Sequence, residues 1–120
     1  VIMPVAGPVG LGSIAAIEAR GSDTKLIWVD TDGCVSVEQS CSMFLTSVMK
    51  NMDVAVRDVA LAASEDSFQG GTNLGTLENE GVAIAPFHDF DAEVPQEVKD
   101  RLEELRGQII AGEIETSPAA

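Results

Sequence analysis

The segment KLIWVDTDGC, residues 25–34, places two carboxylates directly after an apolar run. Asp30 and Asp32 are separated by one residue and are followed by Gly33. Two chemistries fit this spacing. A Mg²⁺-dependent phosphatase would use one aspartate as nucleophile and the other as acid/base, whereas a binding protein would use them to accept hydrogen bonds from sugar hydroxyls. An ordinary turn in which aspartate caps the backbone is the structural alternative.

A glycine-rich segment and a lysine are expected at the same place in the fold. Gly7, Gly10 and Gly12 lie between a predicted strand and a predicted helix, where bare backbone amides can bind ligand oxygens. Their spacing does not match the dinucleotide-binding pattern GxGxxG, so a tight turn that requires glycine is the alternative. Lys50 follows the third predicted strand, and its alternative is an ordinary solvated lysine.

VDTDG also resembles the strand-then-DxDG signature of haloacid-dehalogenase-like phosphatases. A complete strand and helix precede it here, and a Mg²⁺ site would need a further acidic pair, for which Asp89 and Asp91 are the candidates. His88 is alone in its loop, without the nucleophile elbow of a catalytic triad, and we interpret it with Phe87 and Phe90 as covering the core. The sequence therefore favours a binding protein over an enzyme, with no cofactor and no metal.

Composition limits the partners of the 120-residue chain. Its net charge of −13 would repel nucleic acid and anionic membrane surfaces. Aromatic residues make up 4% of the chain and Tyr is absent, which argues against a base-stacking platform. Trp28 and Phe44 are predicted to be core residues. The hydrophobic content of 45% is typical of a globular domain, and no apolar run approaches the ~20 residues of a membrane span.

The two cysteines, Cys34 and Cys41, leave two states open. They could be free thiols, or they could form a disulfide, which would indicate an oxidising compartment. Their spacing is too wide for a redox CxxC motif, and no Cys/His set completes a zinc site along the sequence.

Hydrophobic periodicity predicts an α/β domain. The predicted strands are residues 1–5, 25–29, 43–49 and two short strands around a turn at 78–81, and the predicted helices are 13–20, 51–65 and 95–112. The first strand, helix and second strand form a βαβ unit, which implies a parallel sheet. Because ligands bind at the carboxyl ends of parallel strands, the Gly7 loop, Asp30 and Lys50 are expected to converge there.

Segments that span nearly the whole chain, in order, resemble one family. They are VAGPVGLGSIAAI, WVDTDG, LTSVMKNMDVAV, GGTNLGTLENEGVAIAPFHDF and VPQEVKDRLEELRGQIIAGEI. They look like the basic membrane protein family, which comprises substrate-binding lipoproteins of ABC transporters related to purine nucleoside receptors. The resemblance implies a parallel-sheet lobe of a type 1 periplasmic-binding-protein fold, which is flavodoxin-like and doubly wound. The chain also opens directly in a predicted strand, so we expect a single domain, residues 1–120, from the C-terminal part of a two-lobed protein, without the N-terminal lobe, signal peptide and lipid anchor.

The resemblance implies a site that binds a nucleoside in the cleft between the lobes. The residues of this chain that match the binding motifs of the family are Gly7, Pro8, Gly10, Asp30, Asp32 and Lys50. Asp30 would hold the ribose hydroxyls, and Lys50 would reach the ligand from the hinge side. Pro8 stands where a small residue is expected in many relatives, which leaves the shape of that loop open. The implied partners are the permease and ATPase of an ABC importer, and the implied location is extracytoplasmic, at the cell membrane.

The resemblance also places helix 51–65 near or in the missing lobe. Its apolar stripe, which includes Met52, Val56 and Val59, would then lack its partner. Exposed stripes of this kind favour association, so we expect self-association or domain swapping through this helix. A domain that has lost ligand binding and serves as an interaction surface remains the further alternative.

Overall fold

A three-stranded sheet lies at the centre of the computed structural model, which describes residues 1–5 and 9–116. The strands are β1 (Leu26–Asp30), β2 (Phe44–Lys50) and β3 (Val82–Ile84). The helices are α1 (Val9–Arg20), α2 (Gly33–Ser36), α3 (Met52–Ser64) and α4 (Gln96–Ile110), and two 3-10 helices occupy Glu38–Met43 and His88–Phe90. The α/β class predicted from the sequence is confirmed.

The sheet is mixed rather than parallel throughout. Its order is β1–β2–β3, in which β1 and β2 are parallel, as predicted, and β3 is antiparallel to β2. The direction of β3 follows from the contacts of Asn51, at the end of β2. Its backbone N–H donates to Gly81 O (3.0 Å) and its side-chain amide donates to Glu80 O (2.7 Å). These bonds fix the start of β3 beside the end of β2, so β3 runs back along its neighbour.

One predicted strand is replaced by a turn over residues 74–81. The side chain of Asn79 closes it, because its Oδ1 accepts from the backbone N–H groups of Thr76 (2.8 Å) and Gly81 (3.0 Å). Its Nδ2 also donates to Leu74 O (2.8 Å). An asparagine that bonds nearby backbone in this way favours a turn over a strand. The prediction of a strand before the 78–81 turn is therefore wrong.

The N-terminal segment is not the buried strand that its apolar run predicts. Ile2 forms a single parallel bridge to Leu26, with its N–H donating to Lys25 O and its O accepting from Ile27 N–H, both at 2.9 Å. Val1 and Val5 are exposed. The segment lies at the edge of the sheet, and Pro4 is its one buried residue among positions 1–5.

The core forms between α1 and the two parallel strands. Its buried apolar residues are Ile14, Ile17, Leu26, Trp28, Val37 and Phe44. The rings of Trp28 and Phe44 lie 5.1 Å apart between centroids and are tilted by 46°, which confirms both as core residues. Gly10 belongs to this core as well. It lies in α1 rather than in the predicted loop, and a Cβ at this position would overlap the indole ring of Trp28.

Burial is uneven across the chain. Among the described residues, none in α3 or α4 is buried, and the apolar residues Met52, Val56 and Val59 of α3 are exposed. The radius of gyration is 17.1 Å, whereas a compact domain of this length has a value of about 14 Å. Within the described part of the chain, no helix is both long enough and apolar enough to cross a membrane.

Replacing Gly10 with Ala is expected to destabilise the fold. The added methyl group would displace the Trp28 ring, and overpacking of this kind costs about 1–3 kcal/mol. Gly12→Ala is the matched control, because it lies in the same helix and a Cβ there meets no atom within 4 Å. The control is expected to stabilise the helix by about 0.5–1 kcal/mol. Urea unfolding of the two variants would measure both effects, and equal stabilities would contradict the packing of Gly10 on Trp28.

Candidate functional site

Parallel pairing brings Asp30 and Lys50 together. Asp30 ends β1, Lys50 ends β2, and the register places Asp30 opposite Met49, the neighbour of Lys50. The Lys50 Nζ lies 2.8 Å from Asp30 Oδ1. An acid and a base that are 20 positions apart in the numbering thus form an ion pair at the carboxyl edge of the sheet.

The ion pair remains open to solvent. The Lys50 side chain is 63% exposed and that of Asp30 is 41% exposed. Pairs this exposed typically contribute about 0–1 kcal/mol to stability, so the fold depends little on this contact. A lysine ammonium carries three donors and a carboxylate has two acceptor oxygens. Both groups therefore have capacity for hydrogen bonds to a ligand.

Asp30 has a left-handed backbone conformation with φ of 71°. The next residue turns back at once, since Thr31 N–H donates to Val29 O at 2.9 Å. Aspartate is one of the few residue types that tolerate this region of backbone space. Residues held in such conformations cluster at functional sites, where the surrounding structure maintains them. The end of β1 is thus a sharp bend with an accessible carboxylate at its apex.

Asp32 has a different partner, which the sequence analysis missed. Its Oδ1 accepts from Cys34 N–H (3.0 Å) at the start of α2, and its Oδ2 lies 2.8 Å from His88 Nε2. The side chains of Asp32 and His88 are 16% and 31% exposed. His88 was predicted only to help cover the core. The two residues are 56 positions apart, so no local pattern could have indicated the pair.

Strand β2 positions both sides of the Asp32–His88 pair. The buried Ser47 Oγ accepts from Gly33 N–H (3.0 Å), which anchors α2 next to Asp32. Thr46 Oγ1 donates to Ala85 O (2.7 Å), and Ala85 N–H donates to Ser47 O (2.8 Å), which holds the segment leading to His88.

Cys34 and Cys41 form a disulfide with their Cα atoms 4.5 Å apart. The bridge joins α2 to the following 3-10 helix, directly beside the Asp32–His88 pair. One ligand atom each from Asp32, Cys34 and His88 lie within 4.8 Å of one another. The Cys34 sulfur is bonded to Cys41, however, and a metal-binding cysteine requires a free thiolate. In the oxidised state this cluster therefore offers a metal one carboxylate and one imidazole.

The glycine loop contributes less to the candidate site than the sequence predicts. Gly7 and Pro8 lie outside the described residues. Gly10 is buried beneath Trp28, so its packing accounts for the absence of a side chain there. The structure thus unites Asp30 with Lys50 and pairs Asp32, two positions further on, with His88.

Lys50 also borders a cavity of about 320 Å³ between α3 and the 74–81 turn. The other residues that line it are Asn51, Met52, Val54, Ala55, Asp58, Asn73, Gly75, Asn79, Gly81 and Val82. Ligand pockets start at about 300 Å³, so this volume suits a small molecule. Charged and amide-bearing residues share its wall with apolar ones, and the side-chain amides of Asn51 and Asn79 already bond backbone groups.

The acidic residues do not form the set that a Mg²⁺-dependent phosphatase needs. Asp91 Oδ1 pairs with Lys99 Nζ at 2.7 Å. Over residues 1–5 and 9–116, the group with metal-ligand spacing is Asp32, Cys34 and His88, and it includes neither Asp89 nor Asp91. The geometry therefore gives no support to the phosphatase alternative.

Comparisons with known proteins also favour a binding protein over a phosphatase. Residues 1–117 match the model of the Bmp family, described as ABC transporter substrate-binding protein PnrA-like. The chain is also similar to the CD4+ T-cell-stimulating antigen of Listeria monocytogenes serovar 1/2a, with 29% identity over 126 aligned positions. That alignment covers 95% of this chain but 34% of the relative. The chain thus spans about a third of the length of this curated relative.

Replacing Ser47 with Ala is expected to lower the free energy of unfolding, because it removes the bond that anchors α2 to β2. The Gly33 N–H would lose its buried acceptor, and a buried donor left unsatisfied costs about 1–3 kcal/mol. Ser42→Ala serves as the control, because Ser42 is exposed and such surface changes usually stay within about 0.5 kcal/mol. Thermal unfolding would compare the two, and equal melting temperatures would show that the Ser47–Gly33 bond does not anchor α2.

Proposed function

This chain belongs to the Bmp family of PnrA-like ABC transporter substrate-binding proteins, and we propose that it is part of a protein that binds a purine nucleoside for uptake. The observation that carries the proposal is the exposed Asp30–Lys50 pair at the carboxyl ends of two parallel strands. Ligands of open α/β sheets bind at this edge. The family supports a role in substrate binding, and the nucleoside is our inference.

The chemistry of the pair suits a ribose. A carboxylate can accept hydrogen bonds from both hydroxyls of a vicinal diol, and bonds to a charged acceptor are the stronger kind. The Lys50 ammonium would donate to the ligand from the second strand. We propose Asp32, Gly7 and Pro8 as further neighbours of the ligand, with Asp32 already engaged by His88, whereas the burial of Gly10 beneath Trp28 removes it from this set.

We further propose that the chain is the C-terminal part of a two-lobed protein. It covers 34% of its curated relative, and the exposed faces of α3 and α4 are consistent with further structure packing on them. A second lobe would close the ligand site from the opposite side. The whole protein would then be an extracytoplasmic lipoprotein that delivers its ligand to the permease and ATPase of an ABC importer.

Asp30→Asn in the complete protein is expected to weaken nucleoside binding about 10- to 100-fold, because a hydrogen bond to a charged group contributes about 1.5–3 kcal/mol. Asparagine keeps the size of the side chain and tolerates the same backbone conformation. Isothermal titration calorimetry with guanosine, adenosine and inosine would measure the loss.

The control is Asp100→Asn, which makes the same chemical change on the exposed surface of α4. It is expected to leave the affinity unchanged. Mass spectrometry of the molecule that co-purifies with the complete protein would identify the ligand directly. A co-purified solute without a sugar diol, or unchanged affinity in the Asp30 variant, would contradict the proposal.

The isolated chain is expected to self-associate through α3. Val56 is 68% exposed on this helix, which has no buried residue within the described part of the chain. Val56→Lys should shift the population toward monomer, because association would then bury a charge. Val35→Lys is the control, since Val35 is 78% exposed but lies in α2. Light scattering at high concentration would measure both variants, and a strictly monomeric parent chain would contradict the expectation.

A further inference from the structure

The cluster beside the disulfide contains three side chains of types that bind zinc, and the disulfide occupies the sulfur of one of them. Asp32, Cys34 and His88 each place a ligand atom within 4.8 Å of the others. The sulfur of Cys41 is bonded to that of Cys34, so it lies next to this group without being part of it. We propose that reduction of the Cys34–Cys41 disulfide creates a tetrahedral zinc site with these four side chains as ligands.

The ligand types and spacing fit this metal. Zinc prefers four ligands drawn from thiolate, imidazole and carboxylate, at about 2.0–2.3 Å from the ion. Ligand atoms around such an ion are separated by less than the 4.8 Å span of the three-residue group, so Asp32, Cys34 and His88 would need to move by only about an ångström. The Cys41 side chain, once released from Cys34, would have to turn toward this group to supply the fourth ligand. His88 Nε2 and Asp32 Oδ2 already lie 2.8 Å apart, and the metal would replace the hydrogen that they share.

The surrounding structure holds the carboxylate in a suitable orientation. Cys34 N–H donates to Asp32 Oδ1 (3.0 Å), which leaves Oδ2 directed toward His88. Ser47 anchors the neighbouring Gly33. Hydrogen bonds of this kind orient metal ligands and strengthen binding. The net charge of −13 also raises the local concentration of cations.

Oxidation state controls the site because a disulfide sulfur cannot act as the thiolate ligand. A dithiol reductant supplies two electrons and two protons, which break the Cys34–Cys41 bond and yield two thiols, while the reductant becomes a disulfide. Zinc binding then releases the two thiol protons as the thiolates coordinate the ion. The site needs neither Asp30 nor Lys50, so the inference does not rest on the proposed nucleoside binding.

The direct test is a titration of the chain with Zn²⁺ alone, in competition with a chromophoric chelator. The chain is compared in its oxidised form and after reduction with a phosphine that does not bind zinc tightly. The reduced chain is expected to bind one Zn²⁺ per molecule, at least about 10-fold more tightly than the oxidised chain. Equal affinities in the two forms would overturn the proposal.

The His88→Ala variant tests whether the histidine is a zinc ligand or whether the two thiolates alone hold the ion. It should lower the zinc affinity of the reduced chain by about 10-fold or more, whereas Asp89→Asn, an exposed change in the same loop, should not. Unchanged affinity in the His88 variant would overturn the four-ligand site. If reduction unfolds the chain, circular dichroism would measure whether zinc restores the secondary structure. Refolding on addition of zinc would support the proposal, and a chain that stays unfolded with zinc would refute it.

Discussion

The parallel pairing of β1 with β2 is the constraint on which the rest of the structure depends. Leu26, Trp28 and Phe44 bury one face of this pair against α1. Burying a large apolar side chain contributes about 1.5–3 kcal/mol, whereas an exposed ion pair contributes about 0–1 kcal/mol. The core therefore fixes where the strands end, and the contact between Asp30 and Lys50 follows from that position.

The two aspartates of the VDTDG motif have different environments. Asp30 is exposed at a left-handed bend and faces a solvated ammonium, whereas Asp32 is mostly covered and bonded to α2 and His88. A carboxylate that is accessible and weakly held can exchange its partner for a ligand at little cost. One that caps a helix and binds an imidazole fixes local structure. This difference makes Asp30 the better candidate for ligand binding and gives Asp32 a supporting role.

Burial is concentrated around the parallel strands. The core lies between α1 and the parallel strands, while α3 and α4 contribute no buried residue among those described. A fold of this size usually buries about two-thirds of the surface of its unfolded chain, and apolar stripes left exposed require a partner. The match to a third of a longer relative agrees with this uneven burial. The proposed second lobe would supply a partner for these helices.

The sequence alone determined the family, the α/β class, strands β1 and β2 and helices α3 and α4, because these depend on local periodicity and on motifs of consecutive residues. It also placed Asp30 and Lys50 at strand ends. Tertiary structure decided the rest. The antiparallel β3, the packing of Gly10 under Trp28 and the pairing of Asp32 with His88 all join segments distant in the sequence. Their formation depends on how loops return to β2, and hydrophobic patterns carry no information about that path.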